Sequence, residues 1–502
     1  MANLIVCCDG TWNTPDQEDD GRPSPTNVVK IHSALAKSDA AGVDQKKYYR
    51  PGVGTSGWKL KRWLDGGLGR GLSDDIKSAY KWLCETYAEG DEIYLFGFSR
   101  GAYAVRSLAG LIGGPGLLCL DEPGLSAEAK WQHVHDTYHA YRTSRSDASW
   151  SPKVDRHDDV SIRFLGVWDT VGALGVPDEM IANAIDRPDT FLFHDTTLGP
   201  IVRTARHAVA TDERRRTFTP TLWTNLDETR DVEQKWFAGV HGDVGGSYFE
   251  RGLGDLPLGW MIDEAEKAGL AFRPGVTQKL SPDPTGILHE SVKGIFSRLR
   301  TRPRSVPKIV EGNDSLHSSA LARHADPPLI QPDYWPTQTL KPNENATRWI
   351  AAREHWNRTG LFLEKGVDYE FKATGEWLDA KIHCTPDGPK PGFHPAKLFY
   401  IGSVVSDLLQ RRKRERTGHD DAVVRGARRE QNMPWFCLVG VVANGQGVDL
   451  DSHKINHHEA FRIGSARSYT PRASGYLYCF ANDVWSFYGN NKGGISLSVA
   501  RG

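Results

Sequence analysis

Three residues in this chain, a serine, an aspartate and a histidine, each follow a short apolar run, and together they suit acyl transfer. Ser99 stands in GFSRG directly after the run 93–96, Asp169 in VWDTVG after 163–168, and His241 in FAGVHGDVGGSY after 235–240. A serine hydroxyl is a poor nucleophile at neutral pH. It becomes a good one when a neutral imidazole takes its proton and a buried carboxylate fixes the imidazole tautomer and stabilises the imidazolium. The developing oxyanion needs donors. The amide of Arg100, at the start of the helix that follows Ser99, is one candidate, and the amides of Gly10 and Thr11 in DGTWN are the others. Plainer roles stay open: an Asx turn at DGTWN, a helix cap for Asp169, a structural histidine at 241. Asp243 is the reserve carboxylate and His207 the reserve base.

These side chains need particular elements beneath them. An apolar run, then Gly-x-Ser-x-Gly, then an Ala/Leu-rich helical pattern reads as strand, sharp turn and helix, with the glycines letting the two elements approach. Residues 4–8 read as the first strand and 26–36 as a helix, while 49–55 is an extended segment entering a loop. Residues 58–72 mix aromatics, bases and glycines, as suits either a lid over an acyl cleft or a connecting loop. Ser73 is expected to cap a helix carrying Ile76, Ala79, Tyr80, Leu83 and Tyr87 at the helical period, with Gly90 closing it. The Arg/Ala-rich stretch 202–216 reads as helical, with Arg214, Arg215 and Arg216 on its solvated face. Ser, Asp and His in that chain order, each past the C-terminal end of a strand, give an α/β-hydrolase-like fold class: a mostly parallel sheet with flanking helices.

At 502 residues the chain is long enough for about two to four domains. A net charge of −1 and 39% hydrophobic residues describe a globular protein without the basic surface that nucleic acid requires. Seven cysteines, odd in number and without C-x-x-C spacing, argue against a disulfide scaffold and against structural zinc. The start, MANLIVCCDG, has no basic leader and too short an apolar run for a signal peptide, so synthesis in the cytoplasm is expected, with export by a machine that reads no such peptide left open. Prolines punctuate the chain from 274 onward, and from 346 short alternating strands indicate a C-terminal β-sandwich. The expected division is a catalytic domain at 1–335, a connector at 336–350 and a sandwich at 351–502, with a basic insertion near 405–430. Its helix, 408–416, reads as a solvated face or as a contact for an anionic membrane surface. Asp483, Asn490 and Asn491 share one glycine-containing turn, where oxygen side chains suit calcium and also suit an ordinary turn.

Longer motifs extend this reading. DGTWN, TNVVKI, YRPGVGT, GFSRGA, VWDTVG, ARHAVATDERR, WFAGVHGDVGGSY, LGDLPLGWM and LHSSALAR resemble, in order, the hydrolase domain of type VI secretion phospholipase effectors of the first lipase-effector family. The resemblance implies hydrolysis of a carboxylic ester, a glycerophospholipid acyl bond, by Ser99, Asp169 and His241, with no catalytic cofactor, and it brings a secretion-machinery carrier and an immunity protein as expected partners. GLFLEKGVDYEFKATGEW, FCLVGVVANG and NDVWSFYGNNKGG are similar to the calcium-dependent galactose-binding bacterial lectins. That resemblance implies calcium held by the side chains of Asp483, Asn490 and Asn491 and the carbonyl of Phe487, with the carbonyl of Ala380 as a further ligand. The family's sugar-contacting His and Gln find no counterpart here. Two other functions remain in view: a calcium-dependent carbohydrate- or surface-binding protein whose hydrolase half is a scaffold, and an esterase of acylated glycans.

Overall fold

The computed structural model describes residues 1–11, 13–52, 68–121, 124–143, 151–172, 197–224, 229–298, 300–331, 336–390, 428–445, 447 and 456–502. Residues 58–67 of the segment read as a lid lie outside the described residues, its last five residues belong to a helix, and the basic insertion up to residue 427 is likewise outside.

The N-terminal part is a six-stranded parallel sheet made of β1 (Ala2–Cys8), β2 (Asp44–Arg50), β3 (Glu92–Phe98), β4 (Ile162–Trp168), β5 (Val202–Ala210) and β6 (Asp231–Phe237), ordered β6-β5-β4-β3-β1-β2. Strands buried on both faces send alternate side chains to opposite layers. In β1, Leu4, Val6 and Cys8 join the core on one face, which also holds Tyr80, Leu83, Leu108 and Val134. Ile5 and Cys7 join the other, with Val28, Ile31, Met261 and Ile262. The helices on the first face are α2 (Leu68–Thr86), α3 (Arg100–Gly113) and α4 (Ala127–Thr143); those on the second are α1 (Asn27–Ala34) and, after the short α5 (His241–Gly245), α6 (Gly252–Lys267). The strand order reverses between β1 and β3. A crevice opens at such a switch point beyond the carboxyl ends of the strands.

The stretch 202–216 corrects the sequence reading, since its first nine residues form β5, a central strand, and not a helix. Its Ala and Arg content favours a helix locally, but pairing to β4 and β6 on either side outweighs propensity. The polar groups this buries are all satisfied. Arg206 bonds Glu264 (2.5 Å) and pairs with Asp231 (2.7 Å), while His207 Nε2 accepts the Thr170 amide (3.1 Å). Arg215 likewise belongs to no helix face; its guanidinium pairs with buried Glu213 (2.8 Å). One boundary also shifts. Helix α2 begins at Leu68, not at Ser73, and Ser73 Oγ accepts from the Tyr138 hydroxyl (3.1 Å).

Beyond α7 (Ser318–Ala325) two antiparallel sheets face each other. One holds β7 (Asn345–Ala351), β9 (Tyr369–Asp379), β10 (Ile382–Thr385), β13 (Ala466–Tyr469) and β15 (Lys492–Arg501); the other holds β8 (Asn357–Leu363), β11 (Leu438–Ala443), β12 (Glu459–Arg462) and β14 (Gly475–Ala481). Phe371, Trp377, Leu497 and Val499 of the first sheet share one core with Leu361, Leu438, Val442 and Leu477 of the second. This is the arrangement expected of a sandwich, with β7 already paired to β15 from residue 345. Cys7, Cys8, Cys84, Cys437 and Cys479 are buried thiols outside any disulfide. Among the described residues no helix is long and apolar enough to cross a membrane.

Candidate active site

Ser99 sits between β3 and α3 at φ 57° and ψ −119°, a conformation that a non-glycine residue adopts only when its surroundings impose it. Its amide donates to Trp168 O (3.0 Å), which ties the turn to the end of β4. The flanking glycines are required by close approach: a Cβ at Gly97 would lie 2.5 Å from Gly101 O, and one at Gly101 would lie 2.1 Å from Cys8 O. The loop after β1 packs against the serine, because a Cβ at Gly10 would meet Ser99 Cβ at 3.1 Å. Within that loop the Gly10 amide is already committed to Asp9 Oδ1 (2.7 Å). Asp9 Oδ2 accepts from Thr26 Oγ1 (2.7 Å) and the Tyr49 hydroxyl (2.9 Å), and burial pushes its carboxyl up to about 6 despite these bonds. Arg100 is the first residue of α3, so its amide has no carbonyl one turn earlier within the helix to bond.

His241 and Asp169 come together. His241 Nδ1 is 2.5 Å from Asp169 Oδ2, and both residues are buried. The strand before His241 ends at Phe237, and the histidine opens the five-residue helix α5. Its ring lies between those of Phe98 (centroids 4.6 Å apart) and Phe218 (4.8 Å). Phe98 is the residue immediately before Ser99, so one aromatic side chain spans the interval between the two halves of the site. Burial lowers the imidazole below its ordinary value against the opposing pull of Asp169, which favours the neutral, proton-accepting form.

Asp169, at φ 38°, is surrounded by donors. Oδ1 accepts from the Ala210 amide (2.9 Å) and Arg304 Nη1 (2.6 Å), and Oδ2 accepts from Arg304 Nη2 (2.8 Å) besides facing His241. Burial by itself would raise this carboxyl; the Arg304 guanidinium, and after it His241, hold it well below the usual carboxylate range. Glu213, also fully buried, accepts the His241 amide (3.2 Å), Ser291 Oγ (3.0 Å) and Arg215. The sequence reading missed Arg304 and Glu213. Arg304 lies in TRPRS, within the proline-punctuated stretch that has no periodicity, and no local signal connects it to Asp169.

The reserve residues are engaged elsewhere. Asp243 accepts the Val240 amide (2.9 Å) and pairs with His289 Nδ1 (2.5 Å); His207 is buried in β5 and lowered to about 3 by burial. Asp19, Glu250 and His289 hold ligand-type atoms within 4.8 Å of one another, with His289 already placed between Asp243 and Glu250 (3.5 Å) as an ion chain.

In the sandwich, Asp483 and Asn491 are buried, whereas Phe487 and Asn490 lie exposed on a 3-10 turn, Trp485–Asn490. Asp483 Oδ1 accepts the Val484 amide (2.6 Å), and Asn491 Nδ2 donates to Asp483 Oδ2 (3.1 Å). Asn491 Oδ1 is buried without a hydrogen-bond partner. Burial, and then Asp379 nearby, push the Asp483 carboxyl up to about 7. Ala380, next to Asp379, has φ 53°.

The family model described as the catalytic domain of Tle1-like type VI secretion system phospholipase effectors matches residues 2–264, which include Ser99, Asp169 and His241. The uncharacterized protein YEL023C of Saccharomyces cerevisiae is 33% identical over 242 residues, 45% of this chain; the match spans 33% of the yeast protein's length. Among solved structures, an uncharacterized protein from Pseudomonas aeruginosa shares 18% identity over 56% of this chain and 49% of its own, at a TM-score of 0.32. The Tle1 effector bound to the VgrG spike of the type 6 secretion system shares 17% over 49% and 51%, at 0.31. The N-terminal domain of EclA, a PllA-like lectin, shares 16% over 31% of this chain and 95% of its own, at 0.20. Because the family model spans more than half of the 502 residues, the chain belongs to the Tle1-like phospholipase effector family of type VI secretion systems.

Proposed function

We propose that this protein is a serine carboxylic-ester hydrolase that cleaves glycerophospholipid acyl esters through an acyl-serine intermediate. The observation that carries the reading is the combination of a strained Ser99 elbow with the buried His241–Asp169 pair at the same edge of the sheet. Ser99 Oγ attacks the acyl carbonyl while His241 Nε2 takes its proton, and Asp169, bonded to Nδ1, stabilises the imidazolium that results. The amide of Arg100 stabilises the oxyanion. Thr11 is the better second donor, since the Gly10 amide bonds Asp9. The imidazolium then protonates the departing alcohol, and water, deprotonated by the same imidazole, releases the fatty acid.

The test is labelling with a fluorophosphonate together with fatty-acid release from mixed phospholipid vesicles. One label per chain, on Ser99, is expected. The acid limb of the labelling rate should fall below the ordinary histidine value of about 6.5, because burial lowers His241. Release of acetate from acetylated sugars with none from vesicles would replace phospholipid by glycan esters as the substrate. In line with the family, a secretion spike carrier and an immunity protein are the proposed partners.

We further infer that the sandwich turn holds calcium, which would make it a calcium-dependent surface- or carbohydrate-binding module. The buried, unpartnered Asn491 Oδ1 beside the buried Asp483 carboxyl, which burial keeps raised although the charge of Arg429 acts against it, fits an oxygen-ligated divalent ion. Asp483 and Asn491 would be the inner ligands, and the Phe487 carbonyl and Asn490 the outer ones. Because the Asp483 carboxyl is raised in the fold, deprotonating it costs stability as pH rises from about 4 through 7. Millimolar calcium should therefore raise the thermal midpoint by several degrees, most strongly above pH 7. An equal rise in Asp483→Ala would sink this assignment.

A further inference from the structure

We propose that Arg304 is a positioning residue for the Asp169–His241 pair, delivered by a strap between the two domains that the β-sandwich holds in place. The inference rests on the triad reading above and deepens it. Arg304 lies 40 residues beyond the end of the family match, so the element acting on Asp169 comes from outside the segment that carries the triad.

The local geometry is that of a clamp. Both terminal nitrogens of Arg304 fork onto Asp169, one to each oxygen, and the same nitrogens donate to Ala210 O and Phe218 O (2.7 Å each). A bidentate guanidinium fixes the plane of a carboxylate as well as its charge. With Oδ1 filled by Arg304 and the Ala210 amide, the remaining direction on Oδ2 belongs to His241. The bond to Phe218 O also anchors the residue whose ring stands edge-on to the imidazole. Asp169 itself sits at positive φ, a conformation that its surroundings must impose.

The strap is gripped from both sides. On the hydrolase side Thr301 bridges Arg215, and the Arg302 amide donates to Arg214 O (2.7 Å). On the sandwich side the Arg302 guanidinium donates to Gly445 O (2.9 Å) and Asn456 O; His458 Nε2 faces Pro303 O (2.8 Å), Trp356 Nε1 donates to Thr301 O (3.1 Å), and the Ile309 amide donates to the Tyr476 hydroxyl (2.8 Å). The sandwich thereby completes the active site without reaching it.

The charges facing His241 are Asp169, Glu213 and Arg215, with Arg304 acting across Asp169. Removing the Arg304 cation leaves the carboxylate's field on the imidazole uncompensated, so the pair holds its proton to higher pH. The experiment compares kcat, KM and the pH profile of vesicle hydrolysis for the full chain and for Arg304→Met, Arg304→Lys, Arg302→Ala and Ser99→Ala. Arg304→Met should lose about 10–100-fold in kcat with KM little changed, as removal of a residue that orients a reactive group does. Its acid limb should move to higher pH. Arg304→Lys keeps the charge and loses the fork, so the limb should return while kcat recovers only in part. Arg302→Ala should lower kcat severalfold with Arg304 still present.

A folded Arg304→Met with the wild-type kcat and acid limb, beside an inactive Ser99→Ala, would overturn the positioning role and leave the triad standing. If Arg304→Met does not fold, Arg304→Lys decides, and full kcat there overturns the role equally. Unchanged activity in Arg302→Ala would remove the sandwich from the argument. An active Ser99→Ala would instead bring down the triad reading on which the inference rests.

Discussion

Ser99→Ala is expected to reduce fatty-acid release from phospholipid vesicles by at least about 10⁴-fold, the scale set by losing a serine nucleophile. Binding should change little, because the oxyanion donors and the cleft remain. Stability should change little too: Ser99 is at φ 57° with its amide bonded to Trp168 O, and alanine inherits both the strain and the bond. The measurement is single-turnover release together with a thermal midpoint. A folded Ser99→Ala with wild-type turnover would move the nucleophile elsewhere and reduce the elbow to a structural turn.

Asp169→Asn should fail in two separate ways. The first is catalytic: an amide at this position cannot stabilise the imidazolium and can hold His241 in the wrong tautomer, at a cost of about 10⁴ in kcat. The second is structural. Arg304 is buried and donates to both Asp169 oxygens, so the substitution removes the carboxylate it is bonded to, and breaking a buried pair in this way costs about 3–5 kcal/mol. The two losses separate by pH. The folded Asp169 carboxyl lies well below its unfolded value of about 3.9, because Arg304 and His241 overcome the effect of burial. Its contribution to stability is therefore whole above about pH 4 and is lost as pH falls further. Asp169→Asn should lack that acid-side loss, so the stability gap between the variant and the wild type narrows below pH 4, as urea titrations across the range would show. A constant gap would mean that the pair does not titrate with folding.

Much of the framework was legible because it is written in local patterns. The run 93–96, the glycines at 97 and 101 and the helix after them announce the elbow through residue types that only such a turn needs. Leu4, Ile5, Val6, Cys7 and Cys8 announce a strand buried on both faces. The sandwich was legible from alternation at 495–499, where Ile495, Leu497 and Val499 are buried and the serines between them are not. Where local chemistry pointed the wrong way, a tertiary partner had overridden it. The Arg/Ala-rich stretch 202–216 prefers a helix by itself, and becomes a strand because β4 and β6 flank it and because Glu264, Asp231 and the Thr170 amide absorb its polar side chains. His241 is held differently, at the start of a short helix in which Asp243 accepts the Val240 amide.

By itself, then, the sequence determined the first strand, the elbow strand with the helix after it, the position of the serine and the three residue types of the proposed triad, because each depends on interactions within about ten residues of chain. Tertiary structure decided which donor after β1 is spent on Asp9 and that Asp243 serves His289. It also decided that an arginine 135 residues from Asp169 bonds both oxygens of that carboxylate from a segment that is itself bonded to the β-sandwich. Those outcomes turn on which buried charges must find partners once water is excluded, and a buried charge is satisfied by whatever the fold brings near, at any separation along the chain.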